Sequence, residues 1–540
     1  MDAVFSDEGG VAALNRKRIK GIIFGILLAY FLLLVLLFVA EAMGSGEGGI
    51  RSFGDAAWYL LATLTTVGYG DVTPVTTLGK VIGAVLMISS AGVLTFLLGL
   101  LFSLFFGRLL PRFSLWRYRR KRWFVFSGVN EQAIFLAQRL EQDDPSAVCV
   151  FCNSHESLSQ EYFTEKGHYV IIDAPVSQVI RRQRKTADCH VFFLGENGWD
   201  NYEDGSRLLE EVKAGRLQVC CETEHAPEHV PEHMVLFNRP DNTARSYWID
   251  NPPAEEDKII LLIGSGQLAK RLIERGLLIN VLPDPRVLEY HLFGEWEGFR
   301  KDHYALSTAL SVDAPAEDRD SVIFEKGDWN ASPELLMKAD RIIFCNDVQE
   351  ENLLAAEELF RYFPVKARVD VCAQNEEGRY HCFGDDRRVL APEMVMKDKL
   401  NSTAVLLNDL YGRKTGGGCR FGELSEFHRQ SNIAAADHLP TKLRILLRGE
   451  TVEEITAEIC GRAYEKYSAF SEEEKEMCRR LEHKRWMRFH IMNNWEYAAT
   501  RDNAARRHPL IVPYEDLSRK EQELDDSAWE VLGEVKNAWS

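Results

Sequence analysis

Three shortages limit what this chain of 540 residues can do. All 11 cysteines follow residue 122, in a part of the chain that the topology inferred below places in a reducing compartment, so we expect free thiols. Residues 1–122 contain 13 Lys and Arg and 7 Asp and Glu, a formal net charge of +6. The whole chain has a formal net charge of −17, so residues 123–540 carry −23. This acidic remainder argues against nucleic-acid binding. No convincing Tyr-x-x-x-Lys pair or Ser/His constellation is present, so we expect no catalytic residues.

Two long apolar segments, 19–42 and 81–107, lie near the N-terminus. Each is long enough to cross a hydrocarbon core of ~30 Å as a helix. Basic clusters precede the first and follow the second, so both clusters should be cytoplasmic and the loop between the segments should lie outside. A signal peptide cleaved after Ala40-Glu41-Ala42 is the alternative, but the apolar run is longer than a usual signal core. The sequence therefore predicts a membrane hairpin.

The loop of this hairpin contains Thr65-Thr66-Val67-Gly68-Tyr69-Gly70-Asp71. Potassium-channel filters are TVGYG loops whose backbone carbonyls replace the hydration shell of the ion. Gly68 and Gly70 can adopt backbone conformations closed to other residues. A chance match in a surface turn is disfavoured by the two flanking membrane segments. The residues predicted to coordinate K⁺ are Thr66, Val67, Gly68, Tyr69 and Gly70.

With these motifs the N-terminal part resembles two-helix potassium channels. The resemblance implies a pore helix over 51–64, with Trp58 packed behind the filter and bonded to Asp71 as filter support. It also implies a hinge of the inner helix at Gly92, for which close helix packing is an equal alternative. The family often has an acid four residues before Thr66, where this chain has Ala62. No helix has a basic residue at every third position, so we expect a ligand, not the membrane potential, to control the gate of the pore.

Two further segments follow the pattern of a doubly wound α/β fold. In 123–250 a strand is followed by Gly128-x-Asn130-x-x-Ala133; in 257–400 a strand is followed by Gly264-x-Gly266-x-x-Ala269, with a second strand predicted at Leu278–Leu282. Such turns can hold a pyrophosphate at a helix N-terminus, and an acid after the second strand can bind a ribose. A fold that has lost its ligand is the alternative for both copies. The candidate nucleotide-binding residues are Gly128, Asn130, Asn153, Gly264, Gly266, Ala269 and Asp284.

A two-helix pore followed by two such folds resembles channels with regulator-of-potassium-conductance domains. In that family eight Rossmann-like folds form a ring under a tetrameric pore. The resemblance covers about residues 15–400 and implies a homotetramer with a possible NAD-type, cyclic or other nucleotide ligand. It ends there, because the typical C-terminal ligand-binding lobe is not seen.

The last part of the chain has a different composition. Leu481-Glu482-His483-x-Arg485-Trp486, Asn494-Trp495-x-Tyr497 and His508-Pro509 resemble the ryanodine-receptor (RyR) repeat, a small helical module, although Asn494 replaces the usual glycine. Aromatic rings and cations together can sandwich a base and bind a phosphate. Packing within the core of the module is the alternative. The candidate ligand residues are Arg485, Trp486, Trp495, Tyr497, Arg501 and His508.

The sequence thus predicts a potassium-selective channel of the inner plasma membrane, with both termini cytoplasmic and a nucleotide-like ligand. The alternatives are a membrane-anchored nucleotide-dependent enzyme, or a channel gated by a partner protein with the cytoplasmic part as a scaffold. No metal beyond K⁺ is expected. The predicted domains are an N-terminal segment (1–18), two membrane helices (19–42 and 81–107) around a pore loop (43–80), a basic linker (108–122), two Rossmann-like domains (123–250 and 257–400), a helical linker (401–419) and an all-α RyR domain (420–540).

Overall fold

The computed structural model of the chain contains two compact units, Met1–Trp116 and Arg117–Ser540. Parts of the predicted N-terminal segment (1–7), the pore loop (45–48) and the basic linker (Arg108) lie outside the described residues, as does part of the helical linker (416–417). The structure describes residues 8–44, 49–105, 109–154, 168–183, 189–212, 217–224, 227–374, 379–415, 418–448 and 455–539.

Two long apolar helices and a short helix between them dominate the first unit. Ile23–Ala42 and Thr77–Phe102 are long and apolar enough to span a membrane, and most of each span is exposed rather than buried in a protein core. Leu37 and Leu86 are fully buried where the helices meet. Both helices are therefore membrane-spanning, as predicted. The helices are α1 (Glu8–Ala42), α2 (Phe53–Leu64) and α3 (Thr77–Leu104), and α4 (Leu110–Arg117) follows in the sequence.

The first fold of the second unit, defined as β1 to α8, has a six-stranded parallel sheet in the order β3-β2-β1-β4-β5-β6. Its strands are almost continuously buried and apolar, as expected for a parallel sheet. Cys149 and Cys152 lie in β2, where burial raises the pKa of the Cys152 thiol to about 12, so these thiols are structural. The elements are β1 (Trp123–Phe126), α5 (Glu131–Asp143), β2 (Val148–Cys152), β3 (Tyr169–Ile172), α6 (Val176–Gln183), β4 (Cys189–Phe193), α7 (Gly198–Glu211), β5 (Leu217–Glu222), β6 (Met234–Phe237) and α8 (Arg239–Asp250).

The second fold, defined as β7 to α14, has a seven-stranded parallel sheet in the order β13-β12-β11-β7-β8-β10-β9. In both sheets the strand order reverses beside the first strand, which confirms the doubly wound class. Its elements are β7 (Ile259–Ile263), α9 (Gln267–Ile279), β8 (Glu289–Phe293), α10 (Glu297–Asp302), β9 (Ser311–Val312), β10 (Ser321–Phe324), α11 (Pro333–Lys338), β11 (Arg341–Phe344), α12 (Gln349–Tyr362), β12 (Arg368–Cys372), β13 (His381–Phe383), α13 (Asp386–Val389) and α14 (Pro392–Val395).

One predicted strand of the second fold is wrong. Leu278 and Ile279 form the buried end of α9, and the second strand of this sheet is β8, which pairs with β7. A short apolar run of this length fits a buried helix end as well as a strand. The misplaced strand changes the position of Asp284.

A helical linker and a mainly helical C-terminal module, defined as α16 to α21, complete the chain. Trp529 is fully buried in the module core, and one short parallel pair of strands interrupts the helices. The elements are α15 (Ser402–Thr415), α16 (Glu426–Asp437), α17 (Leu439–Leu446), α18 (Ala457–Ser468), α19 (Glu472–Met492), β14 (Glu496–Tyr497), β15 (Arg507–His508), α20 (Arg519–Gln522) and α21 (Ser527–Trp539).

Buried ion pairs fasten the C-terminal module to both α/β folds. Arg245 on α8 donates to both carboxylate oxygens of Asp437 on α16, at 2.8 and 2.9 Å. Arg488 on α19 lies 2.7 Å from Asp320 of the second fold and donates to the Leu277 carbonyl at 3.1 Å. All four charged side chains are buried. Because a buried charge is tolerated only with its partner, these pairs fix how the modules meet.

Candidate functional site

The short helix α2 ends at the TVGYG loop. Its N-terminus is closed by a capping box, in which the Ser52 hydroxyl accepts a hydrogen bond from the Asp55 amide and the Asp55 carboxylate accepts one from the Ser52 amide. At the other end the Ala62 carbonyl accepts hydrogen bonds from the amides of Val67 and Gly68, at 3.0 and 3.1 Å. The helix terminus therefore positions the loop directly.

The sign of the backbone φ angle alternates along the loop. The φ angle is positive at Thr66 (59°), Gly68 (60°) and Gly70 (74°), but not at Val67 or Tyr69 between them. When residues with positive and negative φ alternate, successive peptide carbonyls point to the same side of the chain. In a β-strand, successive carbonyls point to opposite sides. A β-branched residue such as Thr66 rarely adopts positive φ, and such strain is concentrated at functional sites. The loop can thus present a row of oxygens to an ion.

Aromatic packing braces this loop from α2. The Trp58 indole Nε1 donates to the Asp71 carboxylate, at 3.1 and 3.3 Å to its two oxygens. The Trp58 ring also stacks on Tyr69, with 5.6 Å between centroids and 11° between planes. Ala62 supplies no carboxylate on this side. The structure thus brings Trp58, Tyr69 and Asp71 together.

A second brace, which the sequence reasoning missed, comes from Glu41 at the end of α1. Its carboxylate, only 6% exposed, accepts hydrogen bonds from the Val75 amide (3.0 Å), the Thr76 amide (2.9 Å) and the Thr76 hydroxyl (2.6 Å). Gly79 packs so closely that an added Cβ would lie 2.0 Å from Glu41 Oε1. A single acid at the end of an apolar run was the available signal. Glu41 ties the turn after the loop to the first long apolar helix, α1.

Residues 22–107 match the family model described as "Ion channel". They are an ion-channel pore segment. A "Voltage-gated potassium channel" of Aeropyrum pernix is 48% identical over 59 residues, which cover 11% of this chain and 20% of that protein. A "Calcium-gated potassium channel TvoK" of Thermoplasma volcanium is 47% identical over 45 residues, which cover 8% and 13%. The chain thus spans a fifth or less of the length of these relatives, and the similarity concerns the pore segment.

Residues 465–535 match the RyR domain family model, so the C-terminal module contains a RyR domain. A solved structure titled "Crystal structure of the GsuK bound to ADP" aligns with 70% of this chain and 99% of that chain, at 15% identity and a TM-score of 0.32. A score this low carries no argument about ligand or arrangement.

In the pore segment, α3 is helical without interruption through Gly92. An added Cβ at Gly92 would meet nothing within 4 Å. The helix is thus continuous at the predicted hinge, which stays a prediction.

The candidate residues of the first fold lie together at the carboxyl edge of its sheet. The Asn130 side chain accepts from the Ala133 amide at 2.8 Å, which caps α5, and donates to the Leu194 carbonyl at 2.6 Å. Asn153 directly follows β2 and donates to the Ser127 carbonyl at 3.1 Å. Gly128 has no contact that would exclude a side chain. The side chain of Asn130 thus occupies the helix terminus that a phosphate would use.

In the second fold the glycine turn already holds an acid. The Asp347 carboxylate, from the loop after β11, accepts hydrogen bonds from the amides of Gln267 and Leu268, both at 3.1 Å. A Cβ at Gly266 would lie 2.2 Å from Asp347 Oδ2, and one at Gly264 would lie 2.8 Å from the Asn346 amide nitrogen. The glycines leave space at the start of α9, where Ala269 lies in the first turn. The Asp347 carboxylate occupies this space, which a pyrophosphate would otherwise fill. A diphosphate would have to displace that carboxylate.

The prediction that Asp284 binds a ribose is wrong. Asp284 precedes β8 and therefore lies at the amino edge of the sheet, whereas Gly264 follows β7 at the carboxyl edge. Its carboxylate is instead paired with Lys484 of the C-terminal module at 2.9 Å. The residue that follows β8 on the glycine side is Gly294, then Glu295, which is exposed.

The candidates in the C-terminal module divide into core and surface. Trp495 (5% exposed) stacks on Phe427 at 5.1 Å, and the rings of Trp486 and His508 lie 5.0 Å apart. Arg485 is buried and donates to Glu482 at 3.1 Å through Nε, so its charge is paired inside the module. The remaining two candidates, Tyr497 and Arg501, are exposed. Arg485 and Trp495 are thus structural in this conformation.

Proposed function

We propose that this chain is one of four identical subunits of a potassium-selective channel. The observation that carries the proposal is the alternating backbone of Thr66 to Gly70, held at the end of a short helix between two membrane-spanning helices. Four such loops supply rings of carbonyl oxygens that replace the hydration shell of K⁺. The Thr66 hydroxyl would add an oxygen at the inner mouth. K⁺ is the transported ion.

Exposed apolar side chains support assembly around the loop. Val67 is 54% and Tyr69 66% exposed in the single chain. One loop supplies only one side of a coordination shell, and rotational symmetry is the usual way for identical chains to close it. The C-terminal dipole end of α2 would face the same axis and favour a cation.

We further propose that a nucleotide-like ligand controls the pore from the cytoplasmic side. The two Rossmann-like folds support this proposal, and eight of them would form a ring in the tetramer. The basic linker (108–122) would transmit their movement to α3 near Gly92. A ligand shifts a conformational equilibrium only through its different affinities for the two states. About 1–3 kcal/mol at each of four sites gives about 4–12 kcal/mol, which is enough to invert an equilibrium.

Potassium flux into liposomes tests the conduction proposal. Gly68→Ala should abolish flux, because alanine at a φ of 60° is strained by about 1–2 kcal/mol in each of four chains. Gly99→Ala is the matched control: Gly99 lies in α3, its added Cβ meets nothing within 4 Å, and flux should remain. Sodium in place of potassium should give little flux through the unchanged protein.

Flux that persists in Gly68→Ala, or a purified protein that is monomeric, refutes the proposal. Turnover of a nucleotide without potassium flux would favour a membrane-anchored enzyme. A channel that conducts but responds to no small molecule would favour gating by a partner protein. The three outcomes are distinguishable in the same purified preparation.

A further inference from the structure

The short helix α4 follows the second membrane span closely in the sequence. The span ends at Phe102, and α4 begins at Leu110. The short connection keeps α4 close to the membrane surface at which α3 ends. A segment in this position meets water, headgroups and the ends of the acyl chains within a few ångströms of one another.

This segment carries positive charge with no acid near it in the sequence. Residues 72–130 contain no Asp or Glu. Five of the six residues 117–122 are Lys or Arg, and Arg112 lies within α4. Arg112 and Arg117 are exposed, and neither forms an ion pair with a carboxylate among the residues that the structure describes. Their charge is therefore available to an anionic partner.

Exposed apolar side chains lie between these bases. Leu110 is 38%, Phe113 56% and Trp116 59% exposed. The spacing of three residues places them on the same side of α4. The rings of Phe113 and Trp116 stack with 5.6 Å between their centroids. Bases alone are sufficient to set the topology of a membrane hairpin, so the exposed rings require a further explanation.

The interfacial layer of a bilayer accepts both kinds of side chain. Aromatic rings are enriched at this depth, where they contact the upper part of the acyl chains. An arginine can lay its stem along apolar surface while its guanidinium stays at the level of the headgroups. Anionic headgroups attract Lys and Arg that are held near the surface. The mixture of rings and guanidinium groups in α4 matches this layer.

A second copy of the chain fits this surface less well. In a symmetric assembly every copy brings the same Arg112 and Arg117, and residues 72–130 contain no acid to neutralise them. Like charges brought together across an interface oppose association. The apolar surface of the span also continues to its last residues, since Leu101 is 62% and Phe102 60% exposed. A lipid surface is continuous with that span and supplies the missing negative charge.

We propose that α4 lies in the membrane surface and binds anionic phospholipid. Phe113 and Trp116 enter the interfacial layer, and Arg112 and Arg117 contact the phosphate groups of the headgroups. Guanidinium groups match the acceptor oxygens of a phosphate. Lipid bound here anchors the chain between the pore and β1, so the charge of the surrounding membrane biases the position of this linker. The inference requires the two membrane spans, but not potassium conduction.

Native mass spectrometry of the full-length protein in detergent tests the lipid preference. The probes are phosphatidylglycerol, which is anionic, and phosphatidylcholine with the same acyl chains. Phosphatidylglycerol should be retained in preference. Each base near an anionic surface contributes about fivefold, so Arg112→Gln/Arg117→Gln should reduce the preference by about 25-fold. Lys301→Gln is the matched control, because it removes an exposed base of the second fold and should leave the preference unchanged.

Fluorescence quenching in vesicles tests where Trp116 lies. The chain has 11 tryptophans, so the contribution of Trp116 is the difference between the unchanged protein and Trp116→Phe. The vesicles contain phosphatidylglycerol and a phosphatidylcholine that is brominated near the headgroup end of its chains. The intensity lost to the bromines should be smaller in Trp116→Phe. Trp199→Phe is the matched control, because Trp199 is 49% exposed in the second unit and should lose no intensity to the bromines.

The inference is overturned if the unchanged protein shows no preference for phosphatidylglycerol, or if the double variant retains all of it. It is also overturned if Trp116→Phe leaves the quenched intensity unchanged, since protein would then cover α4. An unaltered oligomeric state on gel filtration shows that the double variant assembles; if it does not, the single variants decide, with a loss of about fivefold each. Potassium flux is measured separately. Flux without a lipid preference refutes only this inference, whereas a lipid preference without flux refutes only the conduction proposal.

Discussion

The Glu41 brace gives a prediction whose size follows from its hydrogen bonds. One carboxylate oxygen accepts from the Val75 amide, and the other accepts from both the amide and the hydroxyl of Thr76. Glu41→Ala leaves two backbone amides without an acceptor in a site that is 6% exposed. Each unsatisfied buried donor costs about 1–3 kcal/mol, so the variant should lose about 2–6 kcal/mol per chain.

Two milder variants separate the contributions. Glu41→Gln keeps the oxygen that faces Thr76 but turns an NH₂ group toward the Val75 amide, so it should lose about 1–3 kcal/mol. Thr76→Val removes the hydroxyl that donates to Glu41 and that also caps α3 by accepting from the Gly79 amide at 2.9 Å, so it should lose about 1–3 kcal/mol. Thermal midpoint and potassium flux should therefore be lower in Glu41→Ala than in Thr76→Val or Glu41→Gln, and lower in each of these two than in the unchanged protein.

The reasoning is refuted if Glu41→Ala retains both the midpoint and the flux of the unchanged protein. It is also refuted if Glu41→Gln is as damaging as Glu41→Ala, since the retained oxygen would then contribute nothing. Flux lost with an unchanged midpoint would locate the effect in the loop geometry rather than in stability.

Three further predictions concern the second unit, Arg117–Ser540. Asp347→Ala removes the acceptor for the Gln267 and Leu268 amides at the start of α9, so it should lower the free energy of unfolding by about 1–2 kcal/mol. Hydrogen exchange at these two amides should become faster, and unchanged exchange would contradict this prediction. Trp495→Ala should cost about 3–5 kcal/mol in thermal unfolding, whereas Tyr497→Ala, at an exposed position, should change it by less than about 0.5 kcal/mol; equal effects would argue against a core role for Trp495. Burial lowers the pKa of His490 to about 3. The unfolded chain therefore binds the proton first as the pH falls below about 6.5, and stability should decrease by about 2 kcal/mol at about pH 5. His490→Gln should show a smaller decrease in thermal midpoint between about pH 7 and pH 5, and an identical decrease would rule this out.

The pore segment was the most predictable part, because its information is local. The TVGYG string, the two apolar runs and the basic flanks each have one dominant structural meaning. Trp58 and Asp71 could be paired from the resemblance alone, and the structure places them within hydrogen-bond distance. The hydrogen bonds of Glu41 could not be predicted, since its partners Val75 and Thr76 are 34 and 35 residues away in the sequence.

The nucleotide fingerprint of the second fold was misleading for two physical reasons. The apolar run at 278–282 satisfies a helix end as well as a strand, so the acid was assigned to the wrong edge of the sheet. The residue that fills the glycine turn, Asp347, follows a different strand some 80 residues later. A glycine in a turn indicates that another group lies close to the backbone there. The sequence does not distinguish a ligand from another part of the protein as that group.

In the C-terminal module, composition could not separate a binding site from a core. Trp, His and Arg side chains suit a nucleotide, but they equally suit a small helical core in which Arg485 finds Glu482 three residues before it.

The ion pair between Arg488 and Asp320 determines what removal of the C-terminal module would cost. A shortened chain without residues 420–540 would lose the countercharge of Asp320, which is 1% exposed in the full chain. An orphaned interior charge of this kind costs about 3–5 kcal/mol. Removal of the terminal module should therefore also destabilise the second fold, which shares this ion pair.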